Sequence, residues 1–213
     1  MNTESAAAAG LLRALTAESS SARLEAALAA GTHPQPEYVD VLIERCAIET
    51  DFYVREMLTW ALVRHPADLT VPRLLEQTTS VEHQAQSQAL HTLSKIGDPR
   101  GWSIITPALL RDEHDDVART AWRAAVVLAP LEERPALAAT LATQFARGER
   151  EVRSSLTRAF SELGDAAAPA LEQASSHPDL EVRVHALATQ RIIDDPEEGF
   201  ESAMWEARSA LTD

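Results

Sequence analysis

The chain has 213 residues, and its 19 Lys and Arg residues stand against 33 Asp and Glu residues, which gives a formal net charge of −14. This charge excludes a broadly basic surface that holds nucleic acid by neutralising its phosphates, so nucleic acid is not an expected partner. The composition, 45% hydrophobic and 24% charged, is typical of a globular protein that needs neither a disulfide nor a metal ion to fold.

The predicted elements begin with a helix over residues 5–16, which stops before Ser19-Ser20-Ser21. A segment that begins at Ala22 then matches, loosely, five later segments that superimpose without a gap and begin at Val54, Ala85, Val117, Val152 and Val182. The starts of these six segments lie 32, 31, 32, 35 and 30 residues apart. Such regular spacing predicts a repeated helical unit.

In most of the segments, apolar or small residues occupy positions 1, 5, 8, 9 and 12, which fall on one face of a helix. This face is the predicted core, and we expect five of its residues to be inaccessible to solvent: Leu58, Leu93, Ala121, Leu156 and Ala186. Another helix, marked by Pro and following leucines, precedes four of the segments at Pro72, Pro107, Pro135 and Pro169 and would be the first helix of a hairpin. Each repeat is therefore a predicted helical hairpin. Its second helix begins near residue 20, 51, 81, 115, 150 or 180.

Acidic residues precede several of the second helices, where a carboxylate can cap the helix and oppose its dipole: Asp51, Asp115, Asp116, Glu149 and Asp179. The chain ends with a predicted helix after the acidic turn at 194–198.

The region near Met1 contains Glu4 and no early Lys or Arg, and the apolar stretch at 124–131 is too short for a membrane span. We therefore expect a cytoplasmic protein that makes no membrane contact.

The patterns Asp51-x-x-Val54-Arg55 and Asp179-x-x-Val182-Arg183, with the Gly97-Asp98-Pro99 and Gly164-Asp165 endings, resemble the HEAT repeat in its short bacterial form, which is related to the phycobilin-lyase-type repeats. The resemblance implies an all-α, right-handed solenoid of five to six hairpins in a single domain over 1–213. Residues 1–35 would form capping helices, 36–196 the repeats and 197–213 a C-terminal capping helix. The family's Arg after Val is replaced by Gln86 and Ala118, so a ladder of Asp and Arg should be interrupted there unless Arg119 compensates.

In HEAT-like solenoids the second helices line the concave surface, and positions 3, 6, 7 and 10 of each unit are expected to face it. The candidate partner-binding residues at these positions are Trp60, Leu90, His91, Arg119, Trp122, Arg123, Arg158 and Arg191. Trp and Arg are enriched where binding energy concentrates. The hypothesis is a monomeric, non-enzymatic scaffold or regulatory adaptor that binds an acidic or amphipathic protein segment. Alternatively, the tryptophans pack on neighbouring repeats and the arginines pair with acids of adjacent helices.

No catalytic residue, cofactor or metal ligand is predicted. The chain lacks a Gly-rich phosphate loop and the His-Glu dipeptides through which deoxyhypusine hydroxylases bind iron, and nothing marks a bilin pocket. The alternative function is that of an alkylpurine DNA glycosylase, whose concave face also carries Trp and Arg. We interpret the acidic run at 112–116 as a solvated turn, the spacing of His83 and His91 as chance, and Cys46 as a small buried apolar residue.

Overall fold

The protein is all-helical in a computed structural model that describes residues 3–212, with side chains from Ala6 onward; no strand occurs in this range. Three short 3₁₀ helices cover Pro99–Ile104, Leu131–Glu133 and Gly164–Ala167. The α-helices are α1 (Thr3–Leu15), α2 (Ser20–Thr32), α3 (Tyr38–Ile48), α4 (Phe52–Arg64), α5 (Ala67–Gln77), α6 (His83–Ile96), α7 (Pro107–Leu110), α8 (Asp115–Leu128), α9 (Arg134–Ala142), α10 (Arg150–Leu163), α11 (Ala168–Ser175), α12 (Leu180–Asp194) and α13 (Phe200–Thr212).

The chain forms two compact units, residues 1–104 and residues 105–213. In the part of unit 1 that the structure describes, α1 to α6 form three hairpins, and in that of unit 2, α7 to α12 form three more, which α13 follows. The division into capping helices at 1–35 and 197–213 around repeats at 36–196, within one domain, stays a prediction. The architecture itself, helical hairpins in regular succession, is the one that the repeat spacing predicted.

The predicted register of the second helices is confirmed. Their first residues are Ser20, Phe52, His83, Asp115, Arg150 and Leu180. The five predicted core residues are all buried, with at most 1% of any of them exposed. The 3.6-residue periodicity therefore located both the boundaries and the buried face of these helices.

Each unit has two layers of helices. In unit 1 the second helices α2, α4 and α6 pack in series, as do the first helices α1, α3 and α5. Unit 2 repeats this order, with α8 against α10, α10 against α12, and α9 against α11. Within each unit, neighbouring second helices consequently pack against one another as well as against their own hairpin partners.

The Arg after Val holds the turn before its helix rather than forming a ladder with aspartates. Arg55 Nη1 donates hydrogen bonds to the carbonyls of Glu49 and Thr50, at 3.0 and 2.9 Å. Arg23, Arg153 and Arg183 make equivalent bonds to the turns that precede α2, α10 and α12. This arrangement satisfies backbone acceptors in the turn, as buried carbonyls require.

The two exceptions in the repeat are compensated in different ways. Gln86 Nε2 donates to the Thr78 carbonyl at 3.0 Å and so replaces Arg in the third repeat. Where Ala118 stands, Arg147 from the following hairpin donates to the Asp112 carbonyl and pairs with Asp115 at 2.9 Å. Arg119, which the sequence suggested as the substitute, is directed to Ser155 instead.

A buried carboxylate, Glu49, joins the first two hairpins of unit 1. It accepts from Arg23 Nε at 2.8 Å, from Arg45 Nη2 at 2.6 Å and from the Asp51 amide at 2.9 Å. Burial raises the pKa of this carboxyl, but the hydrogen bonds from Arg23, Asp51 and Arg45 outweigh it and lower the pKa to about 2. Glu49 is therefore ionised, and its charge is balanced within the fold.

Candidate binding cleft between α8 and α10

The solvent-exposed face of the second helices differs from the predicted one. Position 6, expected to face a partner, is buried at Thr59, Leu90, Trp122 and Thr157. Position 11, which the prediction omitted, is exposed at Arg64, Lys95, Val127 and Glu162. At 100° per residue the exposed face of α4, α8 and α10 is centred near position 7 and rotated by about 50° from the predicted direction. Contacts with neighbouring helices cover position 6: Thr157 hydrogen-bonds Thr189 of α12, and Trp122 donates to the Leu110 carbonyl of α7.

Trp122 is a core residue and cannot meet a partner, so its predicted exposure is wrong. It has 0% of its surface exposed, and its indole Nε1 donates to the Leu110 carbonyl at 2.8 Å. The Arg147 guanidinium lies 5.9 Å from the centre of its ring. The side chain fills the space between α7 and α8, where the four residues of α7 supply little volume of their own.

Leu90 and His91 are also buried, contrary to the expectation that they line a partner surface. Leu90 is fully inaccessible, and the His91 Nε2 lies 3.2 Å from Glu56 Oε1. The contact between His91 and Glu56 joins α6 to α4, which packs beside it in unit 1. His91 therefore stabilises the contact between neighbouring second helices.

Trp60 is the one candidate aromatic residue that stays accessible, with 39% of its surface exposed. Its ring lies over Gly31 of α2, where an added Cβ would come within 2.3 Å of Cζ3. Arg64, one turn later on α4, lies 6.0 Å from the ring centre. Trp60 thus serves helix packing on one side and presents an edge to solvent on the other.

Three of the predicted residues meet in unit 2, in a cleft of about 280 Å³ between α8 and α10. We call it the arginine cleft; its lining consists of Arg119, Arg123, Val126, Val127, Ser155, Arg158, Ala159 and Glu162. The prediction from the sequence omitted Val127, Ser155 and Glu162, because Ser155 occupies position 4 of its repeat and the other two occupy position 11. The outward face at 3, 7 and 11 would have revealed the two at position 11.

Two hydrogen bonds position the guanidinium groups of this cleft. Arg119 Nε donates to Ser155 Oγ at 3.0 Å, and Arg158 Nη2 donates to Ser154 Oγ at 3.3 Å. Arg119 also has two carboxylates nearby, Glu151 at 3.5 Å and Asp116 at 3.9 Å, both largely exposed. Exposed pairs of this length are weak, so the charge of Arg119 is only partly compensated.

The arginine cleft has two chemically different ends. Because α8 and α10 are joined through α9, they run in the same direction, and the Arg119–Ser155 bond sets their register. Arg119 therefore marks a basic amino-terminal end, Arg123 and Arg158 lie near the middle of the cleft, and Val127 and Glu162 lie at its other end. Arg119 and Val127 are eight residues apart, which is about 12 Å along a helix.

Arg191, the last predicted partner-binding residue, is engaged within unit 2. It lies near the end of α12 and pairs with Glu198 at 3.0 Å through Nη2 and at 3.2 Å through Nε. The hydrogen bond to Glu198 raises the pKa of this guanidinium. Arg191 is therefore an anchor for the turn before α13 and lies outside the arginine cleft.

The acidic turns of unit 2 are largely paired with arginines. Asp115 pairs with Arg147, and Glu181 lies 2.7 Å from Arg208 Nη2. Within residues 6–212, no three His, Cys, Asp or Glu side chains converge in a way that could hold a metal ion.

Burial raises the pKa of the Cys46 thiol to about 12, so the thiol is protonated. Cys46 is the buried residue that the sequence suggested.

A buried histidine, His185, was not singled out by the sequence. Its Nδ1 accepts from the Ala146 amide at 3.1 Å, while Nε2 lies 3.1 Å from the Arg153 carbonyl and 3.2 Å from Thr157 Oγ1. Burial lowers the pKa of His185 to about 4. The imidazole is therefore neutral at pH 7, and it joins the turn before α10 to α12 as a structural group.

No protein-family profile matches the sequence, and no curated protein is significantly similar to it. Among solved structures, the fold is similar to an engineered protein with 20% identity and a TM-score of 0.47, over 95% of this chain and 98% of the other. Human deoxyhypusine hydroxylase in complex with glycerol is 16% identical, with a TM-score of 0.48 and coverage of 97% and 96%. The complex of CpcE and CpcF of phycocyanin lyase from a Nostoc species is 14% identical, with a TM-score of 0.41 and coverage of 94% and 93%.

These similarities concern the helical-repeat fold. They also correct one expectation, that the chain is not an enzyme, because two of the three neighbours are a hydroxylase and a lyase by name. Nothing in the comparisons points to a DNA glycosylase. No helix among the described residues is long and apolar enough to cross a membrane.

Proposed function

We propose that the arginine cleft binds a carboxylate-bearing segment of a protein partner, and that the chain acts through this cleft as an interaction or adaptor protein. The observation that carries the proposal is a charge anomaly. In a chain with a net charge of −14, three guanidinium groups and one carboxylate line a single cleft. A local positive charge of this kind raises the rate and selectivity with which a negatively charged partner is bound.

The side chains of the cleft suit a peptide carboxylate. Guanidinium groups bind carboxylates through paired hydrogen bonds in a fixed plane, which a Lys ammonium cannot do. The bond from Arg119 to Ser155 fixes one guanidinium before binding, which reduces the entropy lost on association. Val127, with 49% of its surface exposed, offers an apolar surface beside these charges.

The surroundings of the cleft favour a protein segment over nucleic acid. A nucleic acid presents an extended row of phosphates, whereas the basic end of this cleft is short and is bordered by exposed carboxylates. Asp116 and Glu151 flank Arg119, and Glu162 lies at the other end. These carboxylates would repel a polyanion that continues past the arginines.

Fluorescence anisotropy tests the proposal with a labelled ten-residue peptide of Glu and Leu, its analogue with Gln at every Glu, and a single-stranded DNA of twenty bases. We expect the Glu peptide to bind at least ten-fold more tightly than both others, and more weakly as salt screens the charges. Equal binding of the Gln peptide would contradict a carboxylate site, and tighter binding of the DNA would assign the cleft to nucleic acid.

Arg123→Ala combined with Arg158→Ala locates the binding. Each charge-assisted hydrogen bond contributes about 1 to 2 kcal/mol at such a site, so the double variant should bind the Glu peptide at least ten-fold more weakly. Arg111→Ala, a change at an exposed arginine of unit 2 outside the cleft, is the matched control and should leave the affinity unchanged. Unchanged affinity in the folded double variant would place the binding elsewhere.

A further inference from the structure

The most exposed apolar side chains of unit 1 are concentrated at one edge, where α3 ends and α4 and α6 begin. We call this set the apolar edge; its members, with their exposed fractions, are Ile48 (66%), Phe52 (58%), Tyr53 (72%) and Val81 (87%). Single exposed apolar residues are common on protein surfaces, but a cluster of aromatic and aliphatic side chains marks an interaction site. Aromatic residues in particular supply binding energy at interfaces.

Contacts within unit 1 bring these residues to the same edge. The rings of Phe52 and Tyr53 meet edge to face, with 5.6 Å between their centres. Gln84 Nε2 donates to the carbonyls of Cys46 and Glu49, at 3.1 and 2.8 Å, and so fastens the first turn of α6 to the end of α3. Val81 lies three residues before Gln84, on the turn that this contact holds in place.

Carboxylates border the apolar edge. Glu44 lies one helical turn before Ile48, Glu56 one turn after Phe52, and Glu82 next to Val81, and all three are exposed. Two cations lie close to the edge and are engaged within the fold: Arg55, 6.0 Å from the Phe52 ring, donates to the turn carbonyls of Glu49 and Thr50, and Arg45 pairs with Glu49. The border is therefore acidic around an apolar centre.

We infer that the apolar edge is a docking surface for an amphipathic segment of another protein whose apolar face is flanked by Lys or Arg. Apolar contacts with the aromatic rings would supply affinity, and pairing with the acidic border would fix the orientation. This surface is separate from the arginine cleft, lies in the other unit and selects the opposite charge. It does not depend on the function proposed for that cleft.

The same border disfavours two other occupants. In a symmetric dimer of this chain the same patch would meet itself, so the acidic border of one copy would face the acidic border of the other. Anionic lipid surfaces attract basic segments and would repel these carboxylates. A basic amphipathic segment is the occupant whose charge complements the edge.

The experiment titrates ¹⁵N-labelled protein with a 14-residue helical peptide of Leu and Lys that has one apolar face. Two control peptides are used: one with Glu at every Lys, and one of the same composition in scrambled order, which keeps the charge but has no apolar face. We expect amide shifts at residues 48–53 and 81–84, and at least ten-fold tighter binding than for either control. Equal binding of the scrambled peptide, or shifts confined to other residues, would overturn the inference.

Matched variants complete the test. Phe52→Ser with Tyr53→Ser should weaken binding of the Leu-Lys peptide at least ten-fold without loss of helicity, whereas Leu131→Ser, at an equally exposed apolar residue of unit 2, should not change it. Glu44→Gln with Glu82→Gln should weaken binding about three-fold or more. Unchanged affinity in both double variants would overturn the inference. Dimers or binding to anionic vesicles that disappear in the Phe52 and Tyr53 variant would assign the edge to a second copy or to a membrane.

Discussion

Replacement of Trp122 by Ala distinguishes a core residue from a binding residue most sharply. The sequence placed Trp122 on the partner-binding face, whereas the structure buries the whole side chain and gives its indole N–H a partner, the Leu110 carbonyl at 2.8 Å. Arg123, the next residue, lines the arginine cleft and is exposed. Two adjacent residues are thus expected to give opposite phenotypes.

The expected loss of stability follows from volume and hydrogen bonding. Truncation of a buried Trp to Ala typically lowers the free energy of unfolding by about 3 to 5 kcal/mol, because of lost transfer energy and the cavity that remains. The Leu110 carbonyl also loses its donor, which costs about 1 kcal/mol or more if no water replaces it. We expect a total of about 4 kcal/mol or more, a large share of the roughly 5 to 15 kcal/mol that stabilises a domain.

Urea denaturation followed by circular dichroism at 222 nm measures this loss. With a dependence on urea of about 2 kcal/mol/M, Trp122→Ala should move the midpoint of the affected transition down by about 2 M. Trp122→Phe keeps a ring but loses the N–H donor, so a smaller loss of about 1 to 2 kcal/mol is expected.

Two controls separate burial from the chemistry of the residue. Trp205→Ala removes a Trp that is 66% exposed, and Arg123→Ala changes the neighbouring cleft residue; each should alter the free energy of unfolding by less than about 1 kcal/mol. If Trp122→Ala were no more destabilising than Trp205→Ala, the packing of α7 against α8 described above would be wrong.

Three further predictions concern unit 1 and the buried ionisable groups. Glu49→Gln should destabilise the protein by about 3 to 5 kcal/mol at pH 7, because it leaves buried guanidinium charge unpaired. Urea titrations at several pH values should show that the wild type loses stability as pH falls from 4.5 toward 2 and that the Glu49→Gln variant does not show this loss. Because the pKa of His185 is about 4 in the fold and near 6.5 when unfolded, wild-type stability should fall as pH decreases from 6.5 to 4, and His185→Asn should flatten that slope. Gly31→Ala should lower the melting temperature, since its Cβ would lie 2.3 Å from the Trp60 ring and 2.8 Å from the backbone of α4; Gly10→Ala, with nothing within 4 Å, should not lower it.

The sequence was sufficient for the repeat, the helix boundaries and the buried face, because these depend on local periodicity. Positions 1, 5, 8, 9 and 12 hold apolar residues in most of the repeats, and Val117 and Leu128 show the two ends of that pattern, both buried. Five gapless matches average out the ambiguity of any single one. Periodicity of this kind needs no knowledge of which helix packs beside which.

The candidate site was less predictable, because exposure on the other face depends on packing between hairpins. Position 6 holds Thr59, Leu90, Trp122 and Thr157, a mixture of polar and apolar residues that gives no periodic signal. All four side chains are buried, Thr157 against Thr189 of α12 and Trp122 against Leu110 of α7. Glu49 illustrates the same limit, since its partner Arg23 lies 26 residues away and an isolated acid before a helix reads as an exposed cap.

Arginine shows why composition could not separate structure from function in this chain. At position 2 its guanidinium turns back along the helix and donates to the carbonyls of the preceding turn, as Arg55 and Arg183 do. At positions 3 and 7 the same side chain projects beside the next second helix, where Arg119 and Arg123 line a cleft. The two roles differ by a shift of one or five positions along the helix, so only the register distinguishes an arginine that stabilises a turn from one that lines the cleft. Changes at position 2 should consequently act on stability, whereas changes at positions 3 and 7 of α8 and α10 should act on the affinity for a carboxylate.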